Sequence, residues 1–325
     1  MNRRDAVFAL LALGAPRIAL AQQARKIPRI GVLSLASPSS TSAGIEALRS
    51  SLRNLGYVEG RTIEVEYRSA EGRVERLPEL AMQLVARNVD VILTDGGNVS
   101  ALAARKATAT IPIVMSVSVN AVESGLIASL ARPGGNITGL TVPRDLGAKQ
   151  LELLRELVPS LSRVAVLIRP DSAAAARRAQ GKAMVLELLQ LTIEYVEVRE
   201  PEDLAQGFAA MRAMRPNAML VGPDTLFFHQ RDQILEFAHA ARLPAMYPFR
   251  DFVDAGGLVS YSVSSKEVYR TAAHYIDKIL KGAKPADLPV EEPREFELVI
   301  NLKTAKSLGI TIPQSILLRA DRLIE

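Results

Sequence analysis

Cysteine and tryptophan are absent from this 325-residue chain, and aromatic residues make up only 5% of it. Without cysteine the protein can form no disulfide, so its stability must come from the packing of its core. The same absence excludes a thiol nucleophile and attachment to a membrane through a lipidated cysteine. The chain is nevertheless 48% hydrophobic and 23% charged, which is the usual balance of a folded globular protein.

Histidine is almost as scarce, since only His229, His239 and His274 occur. Each lies in a helical pattern, and none is near a serine in a GxSxG context. No histidines and carboxylates have the spacing of metal ligands. The glycine pairs at 96–97 and 134–135 fit neither the dinucleotide fingerprint nor the P-loop. The sequence therefore predicts a protein that is not an enzyme and that holds no metal and no cofactor.

Long runs of one charge are also missing. The net charge of +5 is spread along the chain, and no stretch of five or more like charges forms a basic arm or an acidic tail. A mild and scattered excess of this kind does not indicate a nucleic-acid partner.

The first 21 residues have the pattern of a secretory signal peptide. Arg3 and Arg4 precede an apolar run over 6–16, which is well short of the roughly 20 residues that span a membrane. Residues 19–21, Ala-Leu-Ala, form a small-x-small cleavage site. We therefore expect export to the periplasm, cleavage after Ala21, and a mature protein that is not lipid-anchored. The arginine pair leaves both the general secretory route and the twin-arginine route open.

Buried strands alternate with helices along the rest of the chain. The clearest unit, 89–142, has an apolar run that ends in the polar loop 94–98, then a helix, then a second apolar run at 111–115. This order is typical of a parallel βαβ unit. Four strand patterns of the first half return in the same order about 120–135 positions later, which predicts a duplicated α/β unit.

The duplication predicts two Rossmann-like, doubly wound lobes. A helical pattern at 265–281 and a strand pattern at 296–301 follow the second unit, so we expect the chain to cross between the lobes three times and form a three-segment hinge. The predicted lobes are 27–141 with 262–290, and 142–261 with 291–325.

Open α/β sheets bind ligands at the carboxyl ends of their strands. Polar residues at predicted strand ends, together with nearby aromatic residues, are therefore the candidate ligand-binding residues: Ser34, Asp95, Gly97, Asn98, Ser116, Asn120, Ser172, Asp224, Phe227, Tyr247 and Phe249. Gly97 and Asn98 open a helix whose free N–H groups suit an anion. The three aromatic residues are predicted to form a wall of the cleft. We expect Asp224 to bind a cationic ligand group, so that its replacement with alanine weakens binding without changing the melting temperature.

Three long segments resemble a known family. They are GLIASLARPGGNITGLT at 125–141, LPAMYPFRDFVDAGGLVSYS at 243–262 and KILKGAKPADLPVEEPREFELVINLKTAKSLGI at 278–310, and they resemble ABC-transporter substrate-binding proteins of the TrpX-like group. The resemblance implies a type I periplasmic binding fold that encloses its ligand, with an aromatic or other amino acid as the expected ligand. This chain has Asn120 where the family often has aspartate, which removes one partner for a ligand ammonium.

The resulting interpretation is a monomeric periplasmic solute-binding protein. It would deliver a small polar ligand, such as an amino acid or aromatic compound, to the permease and ATPase of an ABC importer by closure of its lobes. Two alternatives remain open at this point: a ligand-sensing partner of a membrane sensor kinase, and an exported α/β enzyme with an unrecognised active site.

Overall fold

Two sheets organise the protein, each with a hydrophobic core on both of its faces. A computed structural model describes residues 27–36, 42–142, 146–170 and 190–325. The expected signal peptide and the candidate ligand residue Ser172 lie outside these described residues.

The first sheet is entirely parallel, in the order β2-β1-β3-β4-β5. Its strands are β1 (Arg29–Ser34), β2 (Glu64–Ser69), β3 (Val91–Asp95), β4 (Ile113–Val119) and β5 (Ile137–Val142). The central strands are nearly continuous apolar runs because both of their faces are buried, as a parallel sheet requires.

The second sheet has the order β12-β11-β10-β9-β8-β6-β7, and only the pair β10–β11 is antiparallel. Its strands are β6 (Arg163–Ile168), β7 (Thr192–Glu197), β8 (Ala218–Val221), β9 (Ala245–Tyr247), β10 (Val259–Val263), β11 (Phe296–Asn301) and β12 (Arg322–Ile324). The order β7-β6-β8-β9-β10 repeats the order of the first sheet, so the predicted duplication and the predicted α/β fold class are confirmed.

Helices cover both sheets. The described α-helices are α1 (Ser42–Asn54), α2 (Leu77–Ala86), α3 (Gly97–Ala107), α4 (Leu146–Leu157), α5 (Leu204–Met214), α6 (Thr225–His229), α7 (Arg231–Ala240), α8 (Arg250–Asp254), α9 (Ser265–Leu280), α10 (Leu302–Leu308) and α11 (Gln314–Leu317). Short 3-10 helices are Val74–Arg76, Pro201–Asp203 and Pro285–Asp287. The sequence pattern predicts one helix over 226–241, but Gln230 leaves the helical region (φ −95°, ψ 17°) and separates α6 from α7.

Two helices pack on a different sheet from the one that contains the strand before them. Helix α4 follows β5 of the first sheet, yet Leu151 and Leu154 pack in the core of the second sheet. Helix α9 follows β10 of the second sheet, yet Val268, Ala272 and Ile276 pack against the first sheet and α1. The chain therefore crosses between the two sheets after β5 and again after β10.

A third crossing runs through Glu291, beside the first two. The backbone N–H of Glu291 donates to Gly139 at 3.0 Å, and its carbonyl accepts from Thr141 at 3.0 Å, which extends the edge of the first sheet. Five residues later the chain enters β11, where Phe296 pairs with Val263 of β10. Three adjacent crossings of this kind form a hinge.

Candidate functional site

Three of the predicted ligand residues meet at the carboxyl end of the first sheet. The Ser34 hydroxyl donates to one carboxylate oxygen of Asp95 at 3.3 Å, and the Ser116 hydroxyl donates to the other at 3.4 Å. The residues two positions earlier in each strand lie in the core beneath α1 and α9: Val32, Leu93 and Val114. Because side chains alternate along a strand, the three polar side chains face the same side of the sheet.

Tyr269 of α9 completes this cluster. Its hydroxyl lies near the Asp95 carboxylate, close enough for each group to affect the pKa of the other, and only 7% of the residue is exposed. Its ring lies so close to Gly44 of α1 that a Cβ there would come within 2.3 Å of a ring carbon. Tyr269 is a candidate that the sequence analysis missed. The available signal was its place on the buried face of α9, since a buried tyrosine hydroxyl requires a partner.

Among the described residues, no cationic side chain pairs with the Asp95 carboxylate. Burial raises the pKa of Asp95 above its ordinary value, and the hydroxyls of Tyr269, Ser34 and Ser116 oppose that rise. Among the described residues, no cationic side chain contributes to this pKa. Burial, followed by the charge of Asp95, also holds the pKa of Tyr269 well above its usual range. Such a carboxylate is suited to bind a cationic group of a ligand.

The other first-lobe candidates lie at the same edge but differ in what they contact. The side chain of Asn98 donates to the carbonyl of Val119 at 2.8 Å and accepts from its N–H at 2.9 Å, so it joins α3 to the end of β4. Gly97 opens α3, where an added Cβ would meet no described atom within 4 Å, and the N-cap residue Gly96 has no side chain that could cap this helix. Asn120 has a φ of 51°, a left-handed conformation that asparagine tolerates.

In the second lobe, Asp224 caps helix α6. Its carboxylate accepts from the N–H of Leu226 at 2.8 Å and lies 4.0 Å from the guanidinium of Arg169. Burial raises the pKa of Asp224, while the cap hydrogen bond and Arg169 lower it. Because Asp224 already has these partners, Asp95 is the carboxylate better placed for a ligand cation.

Two predicted wall residues are core residues instead. Phe227 is 0% exposed and Tyr247 is 1% exposed, and the Tyr247 ring stacks on Phe252 with centroids 5.0 Å apart. The expectation that they face the cleft is therefore wrong for this structure. Phe249 is only partly buried, and it meets Phe228 edge to face at 5.9 Å. Phe227 and Phe228 are adjacent and identical, so sequence alone offered no way to choose between them.

The carboxyl edges of the two sheets face each other. His229, the last residue of α6, lies against Gly72 in the loop after β2, so close that a Cβ on Gly72 would be 2.5 Å from the imidazole ring. The Asp95 cluster of the first lobe and the Phe228–Phe249 pair of the second therefore lie on opposing edges. This is the geometry of a ligand cleft between two doubly wound sheets.

A family model described as ABC transporter substrate binding protein matches residues 29–324, which is nearly the whole chain. The chain belongs to this family. It is therefore a substrate-binding protein of an ABC transporter, and its partners are a small-molecule ligand and that transporter.

Several known proteins are similar to this substrate-binding protein in sequence or in structure. A tyrosine-binding protein of Clostridioides difficile (strain R20291) is 24% identical over 288 residues, 88% of this chain and 82% of the relative. An ABC domain from Streptococcus pneumonia in complex with L-Trp is 26% identical, with a TM-score of 0.84 over 91% of this chain and 99% of that one. A conserved domain protein from Vibrio cholerae is also 26% identical, with a TM-score of 0.84 over 92% of this chain and 100% of that one.

Substrate-binding proteins of this family are typically extracytoplasmic. Within the part of the chain that the structure describes, no helix is both long enough and apolar enough to cross a membrane.

Because Asp224 caps a helix, we expect the Asp224→Ala variant to be less stable than wild type. Asp224→Ala removes the acceptor for the Leu226 N–H, so we expect a loss of about 0.5–2 kcal/mol in the free energy of unfolding, rather than an unchanged melting temperature. Asp224→Ser keeps a capping oxygen and is the matched control. Urea titration measures both variants, and equal stability of wild type and Asp224→Ala would show that the cap contributes nothing.

Proposed function

We propose that this substrate-binding protein takes an aromatic L-α-amino acid, with Asp95 as the partner of the ligand's ammonium group. The observation that carries the proposal is a partly buried carboxylate that accepts from the hydroxyls of Ser34 and Ser116 and lies near Tyr269, with no described cation acting on its pKa. An ammonium group would supply the missing positive charge and offset the cost of burying the carboxylate. Asp95 would then supply the negative charge that Asn120 cannot.

Phe228 and Phe249 support an aromatic side chain on this ligand. They form a partly buried edge-to-face pair on the opposing edge of the cleft, and such pairs accept a further ring in offset or edge-on geometry. The tyrosine-binding relative and the relative in complex with L-Trp support the same ligand class.

The amino terminus of α3 is our candidate for the ligand carboxylate. The helix begins two residues after Asp95, its N-cap glycine supplies no capping side chain, and an added Cβ on Gly97 would meet no described atom within 4 Å. Helix amino termini attract anions because their N–H groups are unpaired and the helix dipole is positive there. The two charges of one zwitterion would thus be bound by neighbouring parts of the loop after β3.

Ligand delivery in this proposal requires closure and no covalent step. We assign the lobes to 27–141 with 262–290 and to 142–261 with 291–325, supported by the packing of α4 and α9 and by the three adjacent crossings. A ligand that contacts both lobes stabilises the closed state, which the transporter can recognise. We propose that the protein does this as a monomer and without catalysis.

We further propose that the mature protein acts in the periplasm after removal of residues 1–21. The absence of cysteine supports a form without a lipid anchor. Amino-terminal sequencing of the osmotic-shock fraction tests this: a protein that starts at Gln22 is expected, and an uncleaved membrane-bound form would contradict it.

The absence of tryptophan gives the ligand proposal a direct test. When indole is excited selectively, all emission must come from added L-tryptophan, because the protein has none. After unfolding and dialysis to remove bound ligand, we expect a saturable change in L-tryptophan emission that L-tyrosine reverses by competition. Calorimetry with L-tyrosine is the second measurement. If neither amino acid gives saturable binding, the aromatic amino-acid proposal is wrong.

A further inference from the structure

We infer that Gly72 and His229 form the contact that the two lobes make on closure, and that closure requires glycine at position 72. The inference rests on the proposed closure around a ligand, but its first test needs no ligand. Gly72 belongs to a loop of the first sheet and His229 to a helix after β8 of the second, both far from the hinge in the chain. A contact between opposing edges exists only when those edges approach each other.

A side chain at position 72 would displace the His229 ring from the position that it has in this arrangement. An added Cβ would lie 2.5 Å from both Cδ2 and Nε2 of His229, and 3.0 Å from Cε1. The backbone cannot easily move away, because the N–H of Gly72 donates to Leu35 at 2.7 Å and the N–H of Arg73 donates to Ala70 at 3.0 Å. The φ of +83° at Gly72 also favours glycine.

His229 is held in place by the residues that we assign to the ligand. Helix α6 begins at the Asp224 cap, and the His229 ring meets Phe228 edge to face at 5.9 Å. Phe228 in turn meets Phe249 at 5.9 Å. A ring bound against this aromatic pair would therefore fix the side chain that touches Gly72. Burial lowers the pKa of His229, which agrees with a ring partly removed from water by this contact.

Disulfide trapping tests the contact without a ligand. The chain has no cysteine of its own, so in a Gly72→Cys/His229→Cys variant only one disulfide can form within a molecule. We expect mild oxidation of the folded variant to form a disulfide between positions 72 and 229. Protease digestion would then yield the two peptides that contain these positions as one cross-linked species. The matched control is Gly60→Cys/His229→Cys, because Gly60 also lies in a loop of the first lobe but has no atom within 4 Å of its added Cβ. No cross-link at positions 72 and 229, or equal cross-linking in the control, would overturn the inference.

The requirement for glycine is tested by affinity. Gly72→Ala should weaken L-tryptophan binding by about tenfold or more, because a clash in the closed state lowers the competent population. Gly60→Ala introduces a similar positive-φ strain (φ +78° at Gly60, against +83° at Gly72) without a clash, so its affinity should match wild type. Adding His229→Ala to Gly72→Ala should restore most of the lost affinity for L-tryptophan, because it removes the ring that clashes.

The outcomes separate the contact from the ligand. If wild type does not bind L-tryptophan but the disulfide at positions 72 and 229 still forms, the contact stands and the ligand proposal fails. If wild type binds L-tryptophan and Gly72→Ala binds it equally well, the glycine requirement is wrong. If the Gly72→Ala/His229→Ala variant is as weak as Gly72→Ala alone, the loss comes from the strained loop and the inference also fails.

Discussion

Asp95→Asn is expected to remove most of the affinity for an α-amino acid while making the ligand-free protein more stable. The variant keeps the size of the side chain and can still form hydrogen bonds with the hydroxyls of Ser34 and Ser116, but it has no charge for an ammonium group. Loss of one partner from a buried charge pair costs about 2–5 kcal/mol of binding free energy. Calorimetry of wild type and Asp95→Asn measures the change in affinity, and thermal unfolding of both proteins without ligand measures the change in stability.

The opposite effect on stability follows from the direction of the pKa shift. The pKa of Asp95 is raised in the folded protein, so wild type loses stability as the pH rises from the ordinary carboxyl range through this raised pKa. The Asn variant has no such loss, and its advantage should be greatest above the raised pKa. For binding the sign is reversed: wild-type affinity should fall as the pH drops through the raised pKa, because the carboxylate is then protonated.

A surface aspartate provides the control for Asp95. The Asp232 side chain is 87% exposed, and Asp232→Asn should change neither affinity nor stability by a measurable amount. An Asp95→Asn protein with wild-type affinity would remove Asp95 from the site. A destabilised ligand-free Asp95→Asn protein would show that Asp95 is a structural residue.

Glu267→Ala is expected to cost about 1.5–3 kcal/mol of unfolding free energy, because two backbone N–H groups lose a charged acceptor. Glu267 is 7% exposed. Its carboxylate accepts from the N–H of Arg294 at 3.1 and 3.2 Å and from the N–H of Glu295 at 2.8 Å. These hydrogen bonds join α9, which packs on the first sheet, to the segment that enters β11 of the second. The variant should therefore weaken the third crossing.

The neighbouring residue offers the matched control for this hinge prediction. The Glu295 side chain pairs with Arg270 at 2.9 Å, but both side chains are about half exposed (55% and 45%). Glu295→Ala should therefore cost less than about 1 kcal/mol. Urea titration of both variants measures the difference. Equal losses would show that the buried carboxylate has no special role in the hinge.

The fold could be predicted because duplication leaves a pattern at every strand. Buried parallel strands are apolar on both faces, and each is followed by a loop rich in small polar residues. The repeated strand order, which ends at β5 and at β10, confirms that interpretation. The break at Gln230 could not be read in the same way, because the apolar spacing continues through it and only the backbone conformation ends the helix.

The site could be predicted only where it depends on strand ends. Ser34, Asp95 and Ser116 are brought together by parallel pairing, so their positions after apolar runs were sufficient to predict their proximity. Tyr269 enters from a helix about 170 residues further along the chain than Asp95, and only the crossing after β10 brings it close. The helix that carries Phe227 and Phe228 has only five residues. A helix this short has too few apolar positions for the sequence to indicate which of the two rings is buried.

The central claim is that Asp95 binds the ammonium group of the ligand. A thermodynamic cycle that changes Asp95 in the protein and the amine in the ligand tests this claim most directly. L-tryptophan and its amine-free analogue indole-3-propionate would be titrated by calorimetry into wild type and into Asp95→Asn. If Asp95 holds the ammonium group, the substitution should cost L-tryptophan about 2–5 kcal/mol and should cost the amine-free analogue almost nothing. If Asp95→Asn weakens both ligands equally, Asp95 does not recognise the ammonium group, and the assignment of this cluster as the amino-acid site is wrong.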